Sequence, residues 1–254
     1  QIKIMAEKFT LPTEMIELPS QGKIYDITNP LSSGTIEMKY MTAREEDILT
    51  NINLLRQGIA IEKMLQSIIK SPIKYEDLSL GDRNSLLIAS RILAYGSAYS
   101  FEYYDSESET KETISIDLND LKNKEVDYSL YNNKNEFTFV LPHSKNTVTF
   151  KLLTVNDEKA IEAEAKGLKK ANIAVGEVTS RLKHQILSVN GNYEPKDVRD
   201  FVDNFLIAKD SNPLRSYITS ISPDIDLTIN FTLSNGKEIT QSLPLTAEFF
   251  FPGT

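Results

Sequence analysis

One stretch of this chain is written twice. Thr35-Ile-Glu-Met-Lys-Tyr-Met-Thr42 leads into the acidic run Ala43-Arg44-Glu45-Glu46-Asp47-Ile48, and Thr147-Val-Thr-Phe-Lys-Leu-Leu-Thr154 leads into Val155-Asn156-Asp157-Glu158-Lys159-Ala160-Ile161. The copies align without a gap, with Thr, Lys and Thr at matching places. A Leu-Pro pair precedes each, Leu18-Pro19 and Leu141-Pro142. Ile36, Met38 and Tyr40 alternate with polar residues, as in a half-buried strand. Thr42, with Glu45 three residues on, is the pattern of a helix cap. Repeating a strand-to-helix unit predicts an α+β fold of two related lobes, each with strand or hairpin elements and a small helical bundle. We place them at residues 1–128 and 129–254.

The walk between the copies supports the same plan. A helix is expected over 43–54. The spacing of Ile61, Met64, Leu65 and Ile68 predicts an amphipathic helix over 59–70, and Asp82 opens a third over 82–97. Tyr99–Tyr103 and Thr113–Leu118 read as a hairpin. In the second half, Phe137–Leu141 and Thr147–Leu153 form a hairpin and Thr154 caps a helix over 155–170. Helices are expected over 177–189, 197–208 and 214–220. Leu227–Leu233 and Glu238–Leu243 close on the turn Ser234-Asn-Gly236. Tyr75-Glu76 and Tyr193-Glu194 match between halves.

A length of 254 residues suffices for two lobes with cores. The net charge of −8, with the acidic excess mostly in the first half, disfavours nucleic acid as a partner. The absence of cysteine removes disulfides, thiol catalysis and Cys-ligated zinc. No apolar run is long enough to span a membrane, and the start lacks a signal-peptide pattern. Met5 reads as a translation start.

Chemistry-bearing motifs are sparse. Gly167-Leu-Lys-Lys170 is not a phosphate loop, and no nucleophile elbow or dinucleotide fingerprint is present. His143 falls in a turn and His184 on a helix. Glu45-Glu46-Asp47 suits the positive end of a helix better than a cation. Asp224, Asp226, Asp117 and Asp120 read as turn-formers. Lys166, Lys169 and Lys170 complement a helix C-terminus. We expect neither an enzyme nor a cofactor. Phe249-Phe-Phe251 stands apart, because three consecutive aromatics on a strand cannot all face one core. Phe249, Phe250 and Phe251, with Tyr25 and Tyr104, are the candidate protein-contact residues.

Leu18-Pro19-Ser20-Gln-Gly22-Lys-Ile-Tyr25, Ile36-Glu-Met-Lys-Tyr-Met-Thr-Ala43 with Glu45-Glu46-Asp47-Ile48-Leu49, Leu80-Gly81-Asp82-Arg83 and Arg91-Ile-Leu-Ala-Tyr95-Gly96 through Tyr103 carry a family likeness. Over roughly residues 16–120 they resemble the T4-type phage baseplate hub family of hub subunits and hub assembly factors. The resemblance implies a non-enzymatic scaffold in the baseplate hub of a contractile tail. Its partners would be other phage tail and baseplate hub proteins in a large hetero-oligomer. Its location would be the virion baseplate, after assembly in the host cytoplasm. The opening is also similar to that of tail assembly chaperones, which implies the alternative of a transient chaperone absent from the virion. Some members carry a Cys-x-x-Cys pair where this chain has Tyr104–Glu109, so no zinc knuckle is expected here. Within the likeness, Gly81 would ease a tight helix start capped by Asp82. Arg83 and Arg91 would fork onto carboxylates of the first helix, and Gly96 would end the helix.

Overall fold

Period-two alternation at Thr35–Lys39 becomes β2, whose Ile36 and Met38 are fully buried while Thr35, Glu37 and Lys39 stay half-exposed. In the computed structural model, which describes residues 10–174 and 176–251, β2 pairs antiparallel with β1 (Thr13–Glu17), Thr13 opposite Lys39 and Glu17 opposite Thr35. Met5 lies outside the described residues. The connection folds tightly on itself, burying Leu18, Ile24 and Leu31. Gly22 sits at φ +74°, and a Cβ there would come within 2.4 Å of the Ser32 carbonyl oxygen, so only glycine lets these backbones touch.

The expected helix over 43–54 is two helices, α1 (Ala43–Thr50) and α2 (Ile52–Gln57). Asn51 breaks it: its backbone is extended and its side chain accepts from the N–H groups of Asn53 and Leu54, capping α2. The amphipathic α3 (Ala60–Ile68) buries Met64, Leu65 and Ile68, and Ile69 then bridges to Met38 as a third, one-residue strand. α4 (Leu80–Tyr95) starts two residues before the expected point, because Ser79 is its cap and Asp82 its third residue. β3 (Ala98–Asp105) and β4 (Thr110–Asp117) form the expected hairpin.

The second half uses the same order with additions. β5 (Phe137–Val140) and β6 (Thr147–Phe150) pair, α5 spans Val155–Lys170, and α6 spans Glu177–Gln185. The helix expected to 189 stops at 185, and Ile186–Val189 is strand β7, joined antiparallel to β6. Ile-Leu-Ser-Val carries apolar residues that suit either period, and the open edge of β6 decides for the strand. α7 (Pro195–Asn204) begins at proline, as a first helical turn favours. α8 is a full helix, Ala208–Ile221, running through Pro213 where only 214–220 is expected. β8 (Thr228–Thr232) and β9 (Glu238–Ser242) complete the described sheets.

Small antiparallel sheets and eight helices among the described residues make this an α+β fold. Each half runs hairpin, helical segment, helix, third strand, long helix, hairpin; α7 is extra in the second. The buried residues form one cluster from Leu18 to Phe250, through both halves. The halves are laced at the starts of two helices: Ser79 bridges Thr154, the Val155 N–H donates to the Leu78 carbonyl at 2.8 Å, and the Leu80 N–H to Leu153 at 3.3 Å. A Cβ at Gly81 would lie 1.9 Å from the Pro223 carbonyl oxygen. That glycine therefore serves contact between the halves rather than a tight helix start. Phe231 of β8 packs edge-on against Phe101 and Tyr103 of β3, at 5.8 and 5.3 Å between ring centres.

Candidate functional site

The two similar strand-to-helix stretches fold into the same kind of corner. At the first, the Thr42 N–H and hydroxyl donate to Glu45 Oε2 at 2.8 and 2.6 Å, while Lys39 Nζ and the Ser67 hydroxyl reach Oε1, both at 2.9 Å. The Glu45 side chain is fully buried. Burial alone would raise its pKa, but the bonds from Thr42, Lys39 and Ser67 outweigh it and hold the carboxyl at about 2. At the second corner, the Thr154 N–H and hydroxyl donate to Asp157 Oδ2 at 3.0 and 2.9 Å, and Lys151 Nζ lies 2.6 Å from Oδ1. In each copy the lysine three residues before the threonine and the acid three after it close one clasp over the helix start.

A second correspondence joins each Leu-Pro pair to its long helix. The N–H of Ser20, the residue after Leu18-Pro19, donates to Asp82 at 2.9 Å. The N–H of His143, the residue after Leu141-Pro142, donates to Asp210 at 2.7 Å, and Ser144 adds a bond of 3.0 Å. Asp82 and Asp210 are each the third residue of their helix. Asp82 also accepts from the Tyr25 hydroxyl, which in turn accepts the Ser79 N–H at 2.9 Å. Burial raises the Asp82 carboxyl, against the opposing bonds from Tyr25, Ser20 and Ser79. The Tyr25 phenol is pushed well up, first by burial and then by the Asp82 charge.

Tyr25 is therefore a core residue and not an open contact. Phe249 and Phe250 are likewise fully buried, on a 3-10 turn (Ala247–Phe250) instead of a strand, so both rings fit the chain's own core. Phe249 packs 5.1 Å from Tyr99, and its carbonyl accepts from Arg91 Nε at 3.1 Å. Phe251 is half-exposed, and Tyr104 stands outward at 55% exposure. Of the five candidate contact residues, only Tyr104 is freely presented.

Arg91 overturns another expectation. It is buried, donates to the carbonyls of Phe249 and Gly96, and lies over the rings of Tyr95 and Tyr99, 5.0 and 5.7 Å from their centres. Among the described residues neither Arg91 nor Arg83 pairs with a carboxylate of α1. The carboxylates of α1 do not converge: Glu45 is locked in its corner and Glu46 accepts from the Tyr95 hydroxyl at 2.9 Å. Asp117 and Asp226 accept from backbone N–H groups two residues on, as turn-formers do, and Asp224 holds Asn84. His184 Nε2 lies 3.1 Å from Glu164. Among the described residues no three His, Cys, Asp or Glu side chains are grouped to hold a metal ion, and no helix is long and apolar enough to cross a membrane.

Sequence reasoning missed the anchoring role of Asp82 and Asp210, although Ser79-x-x-Asp82 is itself a cap-like spacing. It missed the Arg91 clamp because the Phe249 carbonyl, 158 residues away, is brought to it only by tertiary contact.

No curated protein and no solved structure matches the chain at a significant level. A family model described as T4 bacteriophage base plate protein matches residues 13–251, through both halves and from the first strand to the aromatic turn at the end. The chain belongs to the T4 bacteriophage base plate protein family.

Proposed function

We propose that this protein is a structural component of the baseplate hub of a contractile-tailed phage, acting as a non-enzymatic scaffold that binds other hub and tail proteins. The observation that carries this reading is the family match over residues 13–251, which leaves no described element of any length outside it. The character of the polar groups supports it. The most buried carboxylates, Glu45 and Asp82, accept from backbone, hydroxyl and lysine donors within the chain. They hold corners together and face no cleft. The cleft of about 410 Å³ between the start of α4 and the helices α6 and α8 is lined by Arg181 and Arg215 with Glu177 and Asp224, and Asp224 is itself held by Asn84 and lies 3.9 Å from Lys124.

On the same reading the two halves descend from one duplicated unit, each presenting related but unequal surfaces. The protein would assemble in the host cytoplasm and remain in the virion. Mass spectrometry of purified virions tests it: the protein should appear in fixed stoichiometry with the other hub proteins. Its absence from particles, with presence in assembly intermediates, would assign it to the chaperone reading.

A further inference from the structure

The outer edge of β1 is open, and its pattern of donors and side chains matches itself. The hydrogen-bonding parity of the β1–β2 pair is fixed at three points. The Leu18 N–H donates to Gly34 at 2.8 Å and the Tyr40 N–H to Pro12 at 3.2 Å, so the even-numbered residues of β1 bond to β2. On the far side of β2, Glu37 turns its own backbone groups the other way, its carbonyl accepting from the Lys70 N–H and its N–H donating to the Ser71 hydroxyl, both at 2.8 Å. The backbone N–H and C=O groups of Thr13, Met15 and Glu17 therefore point away from the sheet. Among the described residues none of these six groups has a hydrogen-bond partner.

All three residues are exposed. Their side chains share one face with Leu11, and Met15 and Leu11 are 60% and 52% exposed. Neither lysine nor proline lies within Thr-Glu-Met-Ile-Glu to blunt the edge. Only its two glutamates restrict what can pair there, and they select the register. In an antiparallel pairing of two copies centred on Met15, Thr13 faces Glu17 of the other strand, Met15 faces Met15, and Glu14 faces Ile16. All three outward residues then bond and no carboxylate faces another. A parallel in-register pairing would stack Glu14 on Glu14 and Glu17 on Glu17, which like-charge repulsion disfavours.

We propose that β1 is a docking edge for a second copy of this chain, the two strands pairing antiparallel about a two-fold axis at Met15. The two-stranded sheets then become one four-stranded sheet, β2-β1-β1-β2. The interface is isologous and closes at two copies. This inference stands apart from the hub reading and does not depend on it.

The absence of cysteine makes the test clean. Two Met15→Cys chains would bring their Cα atoms to about 5.5 Å in the bonded pair, within disulfide range. Two Thr13→Cys chains would lie about 14 Å apart along the strand, out of range. Under mild oxidation Met15→Cys should form a covalent dimer while Thr13→Cys does not. Mixing Thr13→Cys with Glu17→Cys should restore cross-linking. Wild type should move from one chain to two with rising concentration in sedimentation. Met15→Pro removes both central bonds without touching those to β2, and should stay at one chain with an unchanged circular dichroism spectrum. Should that variant unfold, the cysteine pair still decides. Equal cross-linking at positions 13 and 15, or a single chain at every concentration, overturns the proposal. A Met15→Cys chain that is monomeric alone but shielded from alkylation in assembled particles assigns the edge to a different protein, and also overturns it.

Discussion

Asp82 and Asp210 occupy matching places in the two halves, yet their proton equilibria move in opposite directions. Each is the third residue of a long helix and accepts the N–H of the residue after a Leu-Pro pair. Asp82 has its second partner in a buried phenol, and its carboxyl is raised by burial. Asp210 has its second partner in another backbone N–H of an exposed turn. Burial pushes its carboxyl up, but the bonds from His143 and Ser144 prevail and its pKa is lowered. The same local geometry is a sealed joint of the core in one half and a clasp under a surface turn in the other. A bond pattern can thus survive in a fold while its energetic setting changes completely.

The heaviest blow to the first half should come from the other end of the chain. Phe249→Ala removes a fully buried ring packed on Tyr99, and core truncations of this kind cost about 3–5 kcal/mol. Urea unfolding should show that loss as a lower midpoint. If the midpoint barely moves, the first half completes its core without the terminal turn.

The two aspartates come next. Asp82→Ala strands the Ser20 N–H and the Tyr25 hydroxyl in the core, a loss of about 3 kcal/mol at roughly 1–3 kcal/mol per unsatisfied group. Asp210→Ala releases the N–H groups of His143 and Ser144 beneath an exposed turn where water can replace the acceptor, so about 1 kcal/mol is expected. Equal losses would erase the contrast between joint and clasp.

Glu45 gives the pH-dependent member of the series. Its folded value of about 2 lies below the ordinary 4.5, so its contribution is fully present above 4.5 and is lost as pH falls through about 2. A shift of that size corresponds to about 3 kcal/mol. Glu45→Gln should therefore be less stable than wild type at pH 7, with the gap narrowing steadily below 4.5. A gap constant with pH would mean that packing, and not charge, holds that corner. Tyr104→Ala should have the smallest effect, within about 0.5 kcal/mol for an exposed side chain. On the proposed scaffold reading, any defect it causes should appear in assembly with partner proteins alone.

Much of the fold is legible in the chain because its signals are local. The capping pattern at Thr154 places α5 at Val155–Lys170, and Ser234-Asn-Gly236 marks the last hairpin. Errors arise where two local choices are nearly equal. Asn51 can sit inside a helix or cap a new one, and Ile186–Val189 suits helix or strand until β6 offers an edge. The corner at Thr42 is readable from Thr-x-x-Glu, but its lysine is not, because Lys39 reaches Glu45 only after the chain turns from strand to helix. Phe249, Phe250 and Arg91 are hidden for a stronger reason. The contacts that join Arg91 and Tyr99 to Phe249 cross from one half to the other, and no spacing within a window can show that this aromatic run seals a distant helix.

That seal sets the order of events during synthesis. Arg91 and the Phe249 carbonyl it holds are 158 residues apart. At roughly 5–20 residues per second, about 8–30 seconds separate their appearance on the ribosome. Throughout that interval the helix and hairpin around Tyr99 are made but uncovered. A chain cut short of Phe249 would leave Arg91 without that carbonyl and Tyr99 without the ring packed on it.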